Sequence, residues 1–383
     1  MEQSEQVSSD DVGRAQKAAR GKGRGSKFLV LDRDFWEVLQ CAETCNRLNF
    51  IMTAIVLLAG TGADHRLTKW SAKSVEQYTG IGKPRAKRAI EELERANILR
   101  HTDHSTRIAP QYEFQMLPKM ADGEEDPIFL PVELVTGLAG ETSMLRRLRE
   151  IGDAMALVML IDLYSLIELD ATYGVGMDHC WVRTSDGEAS GRKIAEVGVH
   201  ALWAMTMGST RQVRGEWTAK HRIGENDWSR FWETFDSLEK AGAFIFEPWV
   251  VDGETTSAEP LYPVDPAVIY GHDTGDRVAK ITSEAFLACE SLLPDREEVL
   301  NRYSYDCVAP FPLHHQTPAC RGILKLRIEP DTPGRRRSFA KRMEAIERHQ
   351  SAYSKLRRNA ARGEYGRPLN FSHVRDKKEP VGD

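Results

Sequence analysis

Four cations crowd into six consecutive positions: Lys83, Arg85, Lys87 and Arg88, with only Pro84 and Ala86 between them. A guanidinium fork matches the O6 and N7 acceptors of guanine or the oxygens of a phosphate, and an ammonium supplies a compact point charge. Arg100, His101, His104 and Arg107 add four more donors a little further on. Together these residues suit the binding of a polyanion. Residues suited to bond making are scattered. Gly187-Glu188-Ala189-Ser190-Gly191-Arg192-Lys193 lacks the Gly-Lys-Ser/Thr ending of a phosphate loop, and neither Gly-x-Ser-x-Gly nor His-Glu-x-x-His occurs, so no enzyme is expected. The many acidic residues keep a two-carboxylate nuclease site among the alternatives. Cys307, His314, His315 and Cys320 are zinc-capable types, but their Cys-x6-His-His-x4-Cys spacing lacks the paired Cys-x2-Cys knuckle. A loop is expected there, with no metal and no other cofactor. Cys41 and Cys45, one helical turn apart with no second pair nearby, are expected as buried thiols.

The elements that must position the cations follow from periodicity. Asn46 to Leu58 reads as an apolar helix, with Phe50, Ile51, Ala54, Ile55, Leu57 and Leu58 on a broad buried face. A short helix covers Ala72–Tyr78, and Gly80-Ile81-Gly82 makes a turn. Pro84 then opens the next helix in its first turn, where a missing N–H costs nothing. Ala86, Ala89, Ile90, Leu93 and Ala96 recur at helical spacing and should face the core, leaving Arg85 and Arg88 on one outer face. Ile98–Thr102 and Thr106–Phe114 read as two strands joined at Asp103-His104-Ser105.

That order of parts, over residues 46–114, resembles a winged helix-turn-helix. The resemblance implies duplex DNA as the partner. Lys83, Arg85, Lys87 and Arg88 would then meet base edges and phosphates in the major groove, helped by the positive end of the helix dipole. Arg100, His101, His104 and Arg107 would sit on the wing, toward the minor groove or the backbone.

An internal repeat extends the reading. At an offset of 145, Arg85, Ile90, Leu93, Glu94, Arg95 and Ala96 fall on Arg230, Phe235, Leu238, Glu239, Lys240 and Ala241. Asn97 falls on Gly242, a better helix terminator, and Leu99 falls on Phe244. Asp252-Gly253-Glu254 would be a second wing tip. The copies differ on the outer face, where Lys83, Lys87 and Arg88 become Trp228, Trp232 and Glu233. Trp228 and Trp232 are therefore expected at a partner interface and not on DNA, with Phe231 and Phe235 inside. Two such modules with basic extensions also resemble, more loosely, the tandem winged-helix replication initiators of plasmids and phages.

Composition frames these parts. The 383 residues carry a net charge of −5, with 41% hydrophobic and 28% charged. Residues 13–27 hold +6 and residues 335–362 hold +8, which leaves −19 on the rest. No apolar run is long enough for a membrane span, the polar N-terminus is no secretory signal, and six cysteines make no disulfide framework, so a cytoplasmic protein is expected. The fold class is α+β: mainly α with small β-hairpin wings. The expected plan is a disordered basic tail (1–27), a DNA-reading module (28–117), a linker (118–141) and a second winged-helix-like module (142–265). That second module carries an insertion at 173–192, read as a hairpin through Cys180-Trp181-Val182. A mixed region (266–334), irregular over Pro310–Pro318, and a basic helix with a loose tail (335–383) complete the chain. The leading expectation is a sequence-specific double-stranded DNA-binding protein of replication initiation on a plasmid, phage or mobile element, able to form a homodimer or bind a replication or transcription protein. A transcriptional regulator and a protein-binding adaptor without DNA affinity are the alternatives.

Overall fold

The computed structural model describes residues 28–62, 65–106, 108–115, 127–168, 172–176, 179, 181–182, 191–205, 228–253, 255, 257–265, 277–293, 307–314 and 318–365. The expected basic tail, the loose C-terminal end, Arg107, Cys180 and His315 lie outside them. The chain divides into two compact units, Met1–Gly152 and Asp153–Asp383. Both mix helices with small antiparallel sheets. No helix among the described residues is long and apolar enough to cross a membrane.

The first unit runs β1 (Phe28–Leu31), α1 (Arg33–Cys41), α2 (Arg47–Ala59), β2 (Leu67–Thr68), α3 (Ala72–Thr79) and α4 (Lys83–Arg95). It continues with β3 (Leu99–His101), β4 (Tyr112–Phe114), β5 (Ile128–Pro131), α5 (Glu133–Thr136) and α6 (Met144–Ile151). The Asn46 side chain accepts from Asn49 N–H and starts α2, whose residues 50–58 are all buried. Helices α3 and α4 pack against α2 and each other. Val75, Ile81, Ala86, Ile90, Leu93, Leu99 and Phe114 close the core, and each large apolar side chain there contributes about 1.5–3 kcal/mol. The sheet order is β2-β4-β3, with Leu99 opposite Phe114 and Leu67 opposite Glu113.

Three expectations change here. The strands of the hairpin are shorter than Ile98–Thr102 and Thr106–Phe114, because the tip is tied by turn bonds: Thr106 N–H donates to Ala109 O (3.1 Å) and Gln111 N–H to Ser105 Oγ (2.9 Å). Part of the expected linker is β5, which pairs antiparallel with β1 from Phe28↔Pro131 to Leu31↔Ile128. The expected start of a second module at 142 falls inside the first unit. Ser143 Oγ donates to Tyr78 O (2.9 Å) and its side chain also caps α6, which fastens α6 to the end of α3.

The second unit contains α7 (Ala154–Ser165), β6 (Trp181–Val182), β7 (Gly191–Val197), β8 (His200–Met205), α8 (Trp228–Lys240), β9 (Phe244–Val251) and β10 (Pro260–Pro263). Then come α9 (Arg277–Leu292), β11 (Cys307–Pro312), β12 (Ala319–Leu326) and α10 (Pro333–Ala361). Helix α7 is apolar except at Asp162 and Ser165, and it is buried along most of its length. One sheet has the order β10-β9-β12-β6 and the other β11-β8-β7. The second sheet shares a core with α9 and α10, in which Leu202, Ile281, Phe311, Ile346, Tyr353 and Leu356 are buried.

Here too the structure corrects the sequence reading. Trp181 and Val182 pair with Ile323 and Gly322 of β12 and not within a local hairpin. The sheet beside α8 is completed by β12, from the region expected to be mixed: Phe244 lies opposite Leu326 and Val251 opposite Ala319. The stretch from Pro310 is not irregular at its start, since Pro310 and Pro312 lie in β11. That strand is an edge of its sheet, where a missing N–H is tolerated. Helix α10 is a packed element, with Phe339 left 59% exposed.

Candidate nucleic-acid interface

Helix α3 starts with a reciprocal cap between Ser71 and Ser74, and ends at Gly80, whose φ of 72° is left-handed. The chain turns through Ile81, fully buried, into α4. Ala86, Ala89, Ile90 and Leu93 are buried. Lys83, Arg85, Lys87 and Arg88 are all exposed in the first two turns, and none of the four has an acidic partner among the described residues. The stripe that anchors the helix thus presents four uncompensated charges outward.

The amino end of α4 itself is less open than expected. Lys83 N–H donates to Glu76 Oε1 (3.2 Å), and Arg85 N–H donates to Gly82 O (2.9 Å). A carboxylate of the protein already sits at the positive end of the dipole. Side chains, and not the helix terminus, are left to meet an anion there.

The hairpin divides its expected contacts. Arg100 is exposed but committed: its Nε donates to Glu113 Oε2 (2.6 Å), and the other oxygen of Glu113 holds Arg66 Nε (2.5 Å). The hydrogen bond from Arg100, with the charges of Arg100 and Arg66, holds the Glu113 carboxyl below its usual range. His101 Nε2 lies 3.1 Å from Glu94 Oε1, its Nδ1 bonds Ser105 Oγ (2.8 Å), and its ring packs on Tyr112. Burial, with Glu94 nearby, raises the Tyr112 phenol. His104 is exposed at the tip, and so is Ile108, at 96%. The structure therefore gathers Lys83, Arg85, Lys87 and Arg88 on one helix and ties Arg100 to an acid.

The sequence places the start of a helical block near 142 but does not single out the arginines of α6. Its Met144, Leu145 and Leu148 are buried, while Arg146 is exposed and Arg149 half-buried beside the α3–α4 turn. The signal is the amphipathic run Met144-Leu145-Arg146-Arg147-Leu148-Arg149, which the expected boundary at 142 puts in the second module.

The stretch matched at the offset of 145 has the same local elements and a different outer face. Helices α4 and α8 match end to end at the offset of 145. Ile98 N–H donates to Leu93 O and Ala243 N–H to Leu238 O, and the terminators Asn97 and Gly242 have φ of 55° and 71°. Phe231 and Phe235 are buried. Trp232 is half-buried, edge-on to Phe231 (4.9 Å) and Phe235 (5.8 Å). Glu233 and Asp236 are exposed. The Trp228 side chain lies outside what is described.

The remaining candidates separate. Cys320 is buried in β12, His314 is exposed after β11, and those strands belong to different sheets. Among the described residues no group of three His, Cys, Asp or Glu could hold a metal ion. Cys41 and Cys45 are exposed and not buried, because α1 turns Phe35, Trp36 and Leu39 inward. On α10, Arg335 pairs with Glu329 (2.7 Å), Arg336 with Asp331 (3.0 Å), Arg342 with Glu247 (2.5 Å) and Arg357 with Glu284 (3.4 Å). Much of its charge is thereby offset inside the unit. No protein-family model, curated protein or solved structure matches this chain.

Proposed function

We propose that the chain is a sequence-specific double-stranded DNA-binding protein whose first unit works as a winged helix. Helix α4 enters the major groove, and the β3–β4 hairpin is the wing. The observation that carries this reading is the set of four exposed, acid-free cations on a helix whose opposite face is anchored in the core. A groove about 12 Å wide admits such a helix, and Arg85 and Arg88 suit guanine or phosphate. The second unit carries a divergent copy of the same helix and strand, and α8 presents Trp232, Glu233 and Asp236 where phosphate contacts would be needed. It serves a protein contact, to a second copy of this chain or to a replication or transcription protein. A DNA reader with an attached protein-binding module suits replication initiation or regulation on a mobile element.

The test is duplex selection from a random pool, followed by titration of the selected duplex with Arg85→Ala/Arg88→Ala. Each lost bidentate contact should weaken specific binding by about 1–3 kcal/mol with an unchanged circular dichroism spectrum. Unchanged affinity in the folded double variant refutes the assignment of α4. A wild-type chain that selects no duplex refutes DNA binding and leaves the adaptor reading.

A further inference from the structure

Two arginines outside the proposed base-reading helix stand at its approach. Leu145 and Leu148 bury one face of α6, and Arg146 and Arg149, three apart, share its flank. The bond from Ser143 Oγ to Tyr78 O sets the start of α6 against the end of α3. As a result the two guanidiniums border one residue of the α3–α4 turn. A methyl group on Gly80 would lie 3.4 Å from Arg149 Nη1 and 3.8 Å from Arg146 Nε.

Their neighbour shows what a compensated arginine looks like here. Arg147 Nη2 sits 3.2 Å from Glu141 Oε2. Arg146 and Arg149 have no acid among the described residues. Two like charges beside one glycine repel each other unless water or an anion covers them. Lys83, the first cation of α4, follows the same turn three residues later. The α6 pair therefore carries the positive surface onto a second helix, across a turn whose one carboxylate, Glu76, is engaged by Lys83 N–H.

We propose that Arg146 and Arg149 form a phosphate clamp for the sugar-phosphate backbone of duplex DNA at the edge of the groove that α4 enters. This rests on the DNA-binding reading above. Such contacts position the protein and carry no sequence information. The clamp makes residues 143–149 part of the DNA-binding surface, and it supplies backbone contacts that the hairpin arginine tied to Glu113 does not.

The experiment measures binding of the full-length chain to a fluorescently labelled mixed-sequence duplex by anisotropy across a salt series. Each phosphate contact contributes about 0.9 to the slope of log affinity against log salt. Arg146→Gln/Arg149→Gln should make the slope shallower by about 1.8 and leave the selected sequence preference unchanged. Arg146→Lys/Arg149→Lys keeps both charges and should keep most of the slope. An unchanged slope in the Gln pair overturns the clamp. So does a Gln pair that only melts at lower temperature, since the arginines would then merely cap α3. If the Gln pair fails to fold, Arg146→Lys/Arg149→Glu, with the charges cancelled, replaces it and must also lose slope. A wild-type chain with no salt-dependent duplex binding sinks the parent reading instead, so the two failures are distinct.

Discussion

Glu113 holds down two of the cations nearest the hairpin, which makes Glu113→Gln an informative perturbation. One carboxylate serves Arg66 and Arg100 through opposite oxygens, and both arginines are about half exposed, at 45% and 59%. The trio therefore carries one net positive charge, and the glutamine variant carries two. At neutral pH the wild-type carboxyl is fully ionised, since its arginines depress its pKa. The sign follows: a lowered carboxylate pKa gives a contribution present above the unfolded pKa and lost only as pH falls through the folded one. If the hairpin lies against phosphate, the added charge should steepen the salt slope by about 0.9 and raise affinity for any duplex without changing sequence preference. Arg100→Ala takes the trio from one net positive charge to none, so it should make the slope shallower by about the same 0.9. Anisotropy titrations from low to moderate salt measure both variants beside the wild type, with a thermal melt to establish folding. A folded Glu113→Gln chain with an unchanged slope would show that the hairpin does not face the backbone, and the wing assignment would fall with it.

Two further outcomes follow from the second unit. Alanine at the left-handed Gly242 should cost about 1–2 kcal/mol, whereas Gly242→Asn should cost much less, because Asn97 occupies the matching place; urea unfolding of both variants decides it. Burial lowers the His200 pKa below its ordinary 6.5, so the folded state resists protonation and stability should fall as pH drops through that value and be complete above it. Urea midpoints at pH 5 and 7.5 should show this, and His200→Gln should reduce the difference.

The legible parts of this chain are those written within one helix or turn. Ala86, Ala89, Ile90 and Leu93 recur at helical spacing, Pro84 marks a first turn, and Gly80 marks an end. The location of α4 and its outward cations follows from those residues. What the reading misses depends on residues far apart in the chain. Ser143 reaches Tyr78, Glu113 reaches Arg66 and Arg100, and Leu326 pairs with Phe244. No local pattern carries such pairings, since alternation along a strand says which side chains share a face and not which distant segment it meets. Charge counting has the same limit. Arg100 and Arg342 look like free cations in the sequence until Glu113 and Glu247 arrive from elsewhere.

The helix and strand that match at the offset of 145 separate scaffold from outer face. In both copies a helix of the same length ends on a left-handed residue and leads into a strand. The carbonyl before that strand accepts a bond from the partner strand, at Ile98 from Gln115 N–H and at Ala243 from Arg327 N–H. The partner is the next strand of a hairpin in one case and the distant β12 in the other. The local unit is thus indifferent to where its partner originates, and its core positions stay apolar: Ala86, Ile90 and Leu93 in one, Phe231, Phe235 and Leu238 in the other. On α4 the outer positions Lys83, Lys87 and Arg88 are exposed and under no such constraint, while Trp232 at the matching place on α8 packs edge-on to Phe231 and Phe235. Lys83, Lys87 and Arg88 can therefore become Trp228, Trp232 and Glu233 without loss of the scaffold. Under the proposed reading, affinity for phosphate would belong to the outer face alone, so one unit could keep it while the matching helix of the other gives it up.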